Sequence, residues 1–496
     1  MRWRVATCVA GLLAATAASA EVAPTPQTRA ALRDLVEFAR IPNVTTRDPA
    51  EIRRTGAWLA TLLQRHGWTV RTLPDGDTPM LFAEAGGAKP GARTILFYAH
   101  MDGQPVRISE WAQPDAFVPV LRACADTRTC ATLPLDRLES GALDPDWRLF
   151  ARAVADDKAP ILMLMAAVDT LRAQHRAPGV AIKLILDSHE EGGPPTLKDV
   201  VAANAELLRA DALVILDGPM HPSNRPTLIL GHRGGGVIRF TVFGPRVAAH
   251  SGHYGNYVPN PAQRLAQLVA GFKDADGRVL IPGYDDGIDP AFTAAATGAS
   301  VPDDEAAMRR HFGIASVDRV GATYRAAMAK PSLNIVGLGA GSMGAIDQTI
   351  VPAEAVAAFD IRTVPGVDFA REAGLVRAAV ERAGYHLVEG APTDEERARY
   401  PLLARFESRW LSDPLFTDPH APVAAWVREA LGRDGVVIPI MGGSVPTAPL
   451  VQGLKVPAVI LPLVNADDNQ HAANENLRIG NFVSGVDTLV RLLSAR

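Results

Sequence analysis

The sequence predicts an α/β protein, built on a mostly parallel sheet covered by helices on both faces and interrupted by an inserted α+β domain. Three observations carry that expectation. Short apolar runs at Thr94 to Ala99, Val180 to Asp187 and Ala212 to Asp217 alternate with helical patterns, the order that builds parallel sheets. Each of these runs ends on or beside an acid or a histidine, and an α/β sheet presents its chemistry just past the carboxyl ends of its strands. At about Gly231 the character changes, and the original pattern returns only from about Pro401. A chain of 496 residues is too long for a single core, so it divides. The expected division is residues 1–20, 21–230, 231–399 and 400–496, with the second and fourth forming one unit.

Taken in order, Thr28 to Arg40 and Glu51 to His66 repeat apolar residues at helical spacing and open the fold as two amphipathic helices. The strand Thr94 to Ala99 leads into His100-Met101-Asp102-Gly103, followed by a polar loop with Trp111 and two cysteines. Arg152 to Lys158 then introduces a strongly apolar helix, Ala159 to His175. Beyond Gly231, Gly236 to Val242 alternates like a half-exposed strand, and Pro261 to Phe272 is amphipathic and helical. The acidic, Gly- and Pro-rich stretch from Asp274 to Lys330 reads as a solvated insertion, since its acids lack the regular spacing of a calcium loop. Strands follow at Leu333 to Leu338 and Ala355 to Ile361, with a helix at Phe369 to Arg382. A helix at Ala421 to Gly432, a strand at Val456 to Leu463 and a helix at Asn481 to Leu493 close the chain.

Composition excludes several function classes. A formal charge of -4, with 48% hydrophobic and 21% charged residues, gives no basic excess for nucleic acid and no acidic tail. Arg2 and Arg4 precede the apolar run Val5 to Ala18, and Ala18-Ser19-Ala20 supplies the small residues of a cleavage site. A secretory signal cut after Ala20 is the expectation, placing the mature chain in the periplasm or outside the cell. No later segment holds the roughly eighteen apolar residues of a membrane span. With Cys8 removed, Cys124 and Cys130 remain to form one local disulfide.

The chemistry centres on Leu184-Ile-Leu-Asp-Ser-His-Glu-Glu-Gly-Gly, a buried strand that ends in paired carboxylates. Paired glutamates are usually a solvated turn, and what favours a site is the company they keep. His100, Asp156, Glu191, Asp217 and His471 all fall at predicted strand ends or tight turns. Imidazole and carboxylate donors together suit zinc, at about 2.0–2.2 Å, and five are too many for one tetrahedral ion. Two ions about 3.5–4 Å apart, sharing one carboxylate, would use them all. Asp156, in a short turn before a helix, is the natural bridge. His66, His175, His311 and His386 stay surface or core residues.

These residues resemble a known family. His100-Met-Asp102-Gly-Gln-Pro, Ala155-Asp-Asp-Lys158, Glu190-Glu191, Asp217, His250-Ser-Gly252 and His471-Ala-Ala-Asn-Glu475 are similar, in order and approximate spacing, to motifs of the dinuclear zinc peptidases that include carnosinases, aminoacylases and glutamate carboxypeptidases, peptidase family M20. The resemblance spans roughly residues 30 to 490. It implies a zinc exopeptidase-like catalytic domain with an inserted lid and dimerisation domain. It also implies two Zn2+ (or Mn2+ or Co2+), one held by His100 and Asp217, the other by Glu191 and His471, with Asp156 bridging and a cis peptide at Asp156-Asp157. Asp102 would orient the His100 ring through its free nitrogen, and Glu190 would be the general base. His250, with His253 a close rival, would reach across a homodimer interface to stabilise the oxyanion. Asn334, Arg362 and Ser444 would hold the substrate's carboxylate.

The implied reaction is hydrolysis of a dipeptide or short peptide next to a free C-terminal carboxylate. The alternative is an N-acyl amino acid deacylase with the same metals; a peptide-binding protein that has lost catalysis would lack a ligand or the base, and all are present. Two departures stand out. Ile440-Met441 replace a polar pair before Gly442-Gly443-Ser444, which makes the pocket more apolar, and alanines stand at 151, 153 and 159 where relatives have glycine, tolerable unless those positions need positive φ.

Overall fold

The computed structural model describes residues 21–124, 129–192, 196–341, 348–445 and 448–495. The expected leader, residues 1–20, lies outside them. An eight-stranded sheet organises the larger unit, in the order Trp68–Leu73, Met80–Ala85, Ala181–Asp187, Thr94–His100, Ala212–Ile215, Ala458–Ile460, Thr227–Ile229, Val436–Ile438. Its four central strands run parallel, and the first two form an antiparallel hairpin on one edge. The α/β class expected from the sequence is therefore the one observed.

Both faces of the sheet are covered, and the period of two along Thr94–His100 shows how. Ile95, Phe97 and Ala99 pack into the core made with helices Pro26–Ala39, Ala159–Ala173, Pro422–Leu431 and Ile479–Ser494. Leu96 and Tyr98 point the other way, against Leu197, Val200, Leu208 and Leu450. Each such side chain contributes about 1.5–3 kcal/mol by leaving water. Ala159–Ala173 is apolar all round because it lies between the sheet and its neighbouring helices, with twelve of its residues buried from Ala159 to Leu171. Helix starts follow local chemistry: Thr25 and Asp48 cap the backbone amides of Thr28 and Ala50, and Pro26 and Pro49 occupy first-turn positions where no amide hydrogen is needed.

The inserted unit is a five-stranded sheet in the order Ser332–Ala340, Glu354–Thr363, Gly234–Phe243, Leu403–Ser412, His386–Val388, with helices Pro261–Ala270 and Phe369–Arg382 on one face. Leu403–Ser412 pairs along Gly234–Phe243 from Phe243↔Leu403 to Gly235↔Ser412. This sheet thus runs past the boundary expected at 399/400. Arg405, Glu407 and Arg409 line the open face of that strand. The segment 274–330 also departs from the expected loop. It holds helices Pro290–Gly298, Glu305–Phe312 and Tyr324–Met328, and Phe292 is fully buried with Val364 and Ile440.

A small sheet of Asn476–Arg478, Arg148–Phe150, Val120–Cys124 and Cys130–Leu133 completes the fold, its outer hairpin closed by the Cys124–Cys130 disulfide. Among the described residues no helix is long and apolar enough to cross a membrane.

Candidate metal centre

Three adjacent parallel strands deliver the first side chains. Tyr98 is in register with both Ile185 and Ile215, so Thr94–His100 ends beside the strands that lead to Glu190-Glu191 and to Asp217. Asp156 arrives from the turn before Ala159–Ala173, where its peptide bond to Asp157 is cis. His471 comes from the loop before Asn476–Arg478, in a left-handed backbone conformation (φ 60°) shared by Asn469 and Asn474.

Asp156 lies between two imidazoles. Its Oδ1 is 2.8 Å from His100 Nε2, and its Oδ2 is 3.2 Å from His471 Nε2, which in turn lies 3.1 Å from Glu191 Oε2. Ligand atoms of His100, Asp156 and Glu191 all fall within 4.8 Å of one another. Asp217 is buried beside them and feels the charges of Asp156, His100, Glu191 and His471.

The donor set fits a pair of divalent cations. Asp156 Oδ2 is buried and, although near His471, has no aligned hydrogen bond. Donor separations of 2.8–3.2 Å need only small spreading to match the roughly 3.4 Å edge of a tetrahedron with bonds of about 2.1 Å. Against burial, Asp156 is held ionised by its contacts with His100 and His471, whereas the carboxyls around it resist ionisation. Burial, followed by the Asp156 charge, pushes Asp217 up to about 7. Burial also raises Glu190 well above the usual carboxylate range, with Asp217, Glu191 and Asp156 adding and His100 opposing. Glu191 is raised by burial against the pull of His471. Two dications would neutralise this repulsion, as buried carboxylates require.

Supporting contacts differ in one respect from expectation. His100 Nδ1 meets the backbone carbonyl of Asp102 at 3.1 Å, while the Asp102 carboxylate is 3.5 Å away. The backbone turns after Met101, so the carboxylate instead accepts from the amides of Glu190 (3.1 Å) and Glu191 (3.0 Å). Asp102 therefore aims the glutamate pair with its carboxylate and faces the His100 ring with its main-chain carbonyl at the shorter distance and its carboxylate at the longer one. Gln104 donates to Glu191 Oε2 at 2.7 Å, and Asp157 Oδ2 accepts from the His100 amide at 3.2 Å. Sequence reasoning gave these two no role, nor Glu475 and Arg152; the signal for Glu475 was its place four residues after His471.

The second group of expected residues gathers elsewhere. Arg362 Nη1 reaches Ser444 Oγ at 3.5 Å, and Ser444 donates to the carbonyl of Arg233 at 2.6 Å. Arg362 Nε is held by Asp360 Oδ2 at 2.9 Å, and Asn334 is the cross-strand partner of Asp360, exposed on the edge strand. His250 does not join the metal ligands: it is exposed, accepts from the Gly252 amide and stacks loosely on His253 at 4.7 Å. Ile440 is not a pocket wall but a core residue, buried against Phe292 and Val364. Ala153 does adopt positive φ (58°), the one of the three alanines that does.

A family model described as "Peptidase family M20/M25/M40" matches residues 96–495. The chain belongs to that family. Among other M20 relatives, the Cys-Gly metallodipeptidase of Schizosaccharomyces pombe is 26% identical over 421 residues, covering 83% of this chain and 82% of that protein. The Beta-Ala-His dipeptidase of Homo sapiens is 25% identical over 458 residues, covering 88% and 83%. In fold, an M20 family metallo-carboxypeptidase from Sulfolobus solfataricus superposes with a TM-score of 0.70 at 24% identity, covering 94% of this chain and 98% of that one. This M20 chain is accordingly a hydrolase of the metallopeptidase class, with the catalytic and lid sheets of its family.

Proposed function

We propose that this protein hydrolyses the amide bond of dipeptides or short peptides next to a free C-terminal carboxylate. The observation that carries the reading is Asp156, its two oxygens divided between His100 and His471 with Glu191 alongside. Names of the similar proteins, Cys-Gly and Beta-Ala-His dipeptidases, favour dipeptides. His100, Asp217, Asp156, Glu191 and His471 would hold two ions, Zn2+ first and Mn2+ or Co2+ as substitutes. When bound, such a pair supplies Lewis acidity to the attacking water and the scissile carbonyl. Glu190, raised by its surroundings, takes a proton from the attacking water and delivers it to the amine as the carbon–nitrogen bond breaks. Arg362 and Ser444, with Asn334 nearby on the lid sheet, receive the substrate's carboxylate.

Two further readings belong to the same proposal. Exposed His250 serves a second copy of the chain, with dimerisation through the lid edge strand Ser332–Ala340, whose Ile335, Val336 and Leu338 are open to solvent. Export is supported by the leader pattern of residues 1–20 and by the Cys124–Cys130 disulfide.

The test is a panel of dipeptides with free and amidated C-termini, run beside N-acetyl amino acids on metal-analysed protein. Free-acid dipeptides should be cleaved and amidated ones spared. Preference for N-acetyl amino acids would move the reading to a deacylase, and indifference to amidation would end it. Glu190→Gln should keep its metal and lose about 10²–10⁴-fold in turnover.

A further inference from the structure

We propose that Glu475 is a positioning residue that clamps the turn carrying Asp156 to the loop carrying His471, so that both can serve the metal pair. The inference rests on the two-metal reading above. Glu475 is 1% exposed, and both of its oxygens are committed. Oε1 accepts from the amides of Ala155 (3.0 Å) and Asp156 (3.1 Å); Oε2 accepts from the amide of Ala153 (2.7 Å) and from Arg152 Nη1 (2.9 Å). Every donor belongs to residues 152–156, the segment that presents Asp156. Backbone amides converging on one point form a nest that an anion satisfies and a neutral group does not. With its acceptor capacity used in this way, Glu475 cannot itself be a ligand.

The opposite end of the clamp is equally constrained. Glu475 lies four residues past His471 in a loop whose Asn469, His471 and Asn474 all have positive φ, and Ala153 in the facing turn does as well. Non-glycine residues hold that conformation only where surrounding contacts impose it. The Ala151 amide donates to the Glu475 carbonyl at 3.2 Å, and Asn476 pairs with Phe150 across the small sheet. The Asn476 amide and side chain both donate to the Asp468 carbonyl, at 2.7 and 3.1 Å. Beside the His471–Asp156 side-chain contact, the Glu475 carboxylate grips the backbone amides of the Asp156 turn directly from this loop. Arg152, stacked over Trp111 at 5.2 Å, supplies its counter-charge. A buried pair serving only stability would have no need of three consecutive-turn amides beside a bridging ligand.

The test compares metal affinity, by competition with a chromophoric chelator, in wild type, Glu475→Gln and Glu475→Asp. The glutamine keeps the shape but turns an amide toward at least one of the four donors. The weaker-bound ion should lose about 10- to 100-fold in affinity, with kcat falling at limiting metal, recovering in excess metal, and KM unchanged. The aspartate, charged but one methylene short, should fall between the two. Val486→Ala, in the buried face of Ile479–Ser494, should lower thermal stability without moving metal affinity. Wild-type affinity for both ions in Glu475→Gln overturns the clamp. Should that variant not fold, amide exchange in metal-free wild type decides: protection at Ala153, Ala155 and Asp156 supports the clamp, and exchange at the rate of open loops overturns it. A wild type that binds fewer than two ions sinks the two-metal reading instead, and the exchange result still judges the clamp.

Discussion

Replacing Arg362 with glutamine tests its proposed role in holding the substrate's carboxylate. One nitrogen of the guanidinium, Nε, is occupied by Asp360 at 2.9 Å, and Nη1 only grazes Ser444 Oγ at 3.5 Å, so the outer edge of the fork is free to make two parallel bonds to a ligand. Hydrogen bonds to charged groups contribute about 1.5–3 kcal/mol each. The side chain is 33% exposed, which places both at the lower end. The pair is thus worth about 3 kcal/mol, or about 150-fold in kcat/KM. Removing the guanidinium also strands Asp360, but that damage is common to every substrate and cancels in a ratio. The assay measures kcat/KM for wild type and Arg362→Gln on a dipeptide and on its C-terminal amide, using enough enzyme to see the slow reactions. The free acid should lose about 150-fold and the amide less than about tenfold. Equal losses on both would refute the assignment of Arg362 to the carboxylate.

Other expectations follow from packing and charge. Glu372 on Phe369–Arg382 is fully buried, pairs through one oxygen with Arg371 and has no partner on the other, and burial pushes its carboxyl up to about 7 from 4.5. Because the folded value lies above the unfolded one, the contribution of Glu372 to stability is greatest below pH 4.5 and falls by about 3 kcal/mol as pH rises to 7. Glu372→Gln should make the unfolding midpoint fall less steeply between pH 5 and 8 than in wild type, and parallel curves for the two proteins would contradict this. Reducing Cys124–Cys130, six residues apart, should cost about 2 kcal/mol from loop closure alone, read by denaturant unfolding with and without reductant; an unmoved midpoint contradicts it. Ile440→Ala should cost about 2–5 kcal/mol and open segment 274–330 to proteolysis, since Ile440 packs on Phe292; an unchanged digestion pattern counts against that role.

How much of this was legible in the sequence depends on the range of the forces involved. His100, Glu190, Glu191 and Asp217 could be read from apolar runs that stop on polar residues, because adjacent parallel strands must end side by side. Asp156 and His471 were candidates only as residues of tight turns, whose position the folded chain alone defines, and the motif resemblance supplied their division between the two metals. Asp102 shows the limit of spacing arguments: two residues past His100 the chain has left the strand, and besides lying 3.5 Å from the imidazole its carboxylate serves the glutamate amides, which spacing did not show. Leu403–Ser412 was missed because an open sheet face tolerates Arg405, Glu407 and Arg409. Glu372 and Glu475 look like solvated acids in one dimension, and their burial is purely tertiary.

The insertion braces the segments on which the proposed exopeptidase reading relies. His221, four residues beyond Asp217, lies 3.3 Å from Asp303 of the insertion, and Asp303 is gripped by Arg325 through contacts of 2.7 and 2.8 Å. Arg325 extends toward the Ile440 carbonyl at 3.5 Å, four residues before Ser444. Buried Arg233 donates to the Lys330 carbonyl at 2.7 Å, while its own carbonyl accepts from Ser444. Ser444, which Arg362 reaches, thus lies on a segment cross-braced by the insertion. On the proposed reading, in which Arg362 and Ser444 receive the carboxylate of a substrate that ends there, the same braces tie these anchoring groups to the segment that carries Asp217.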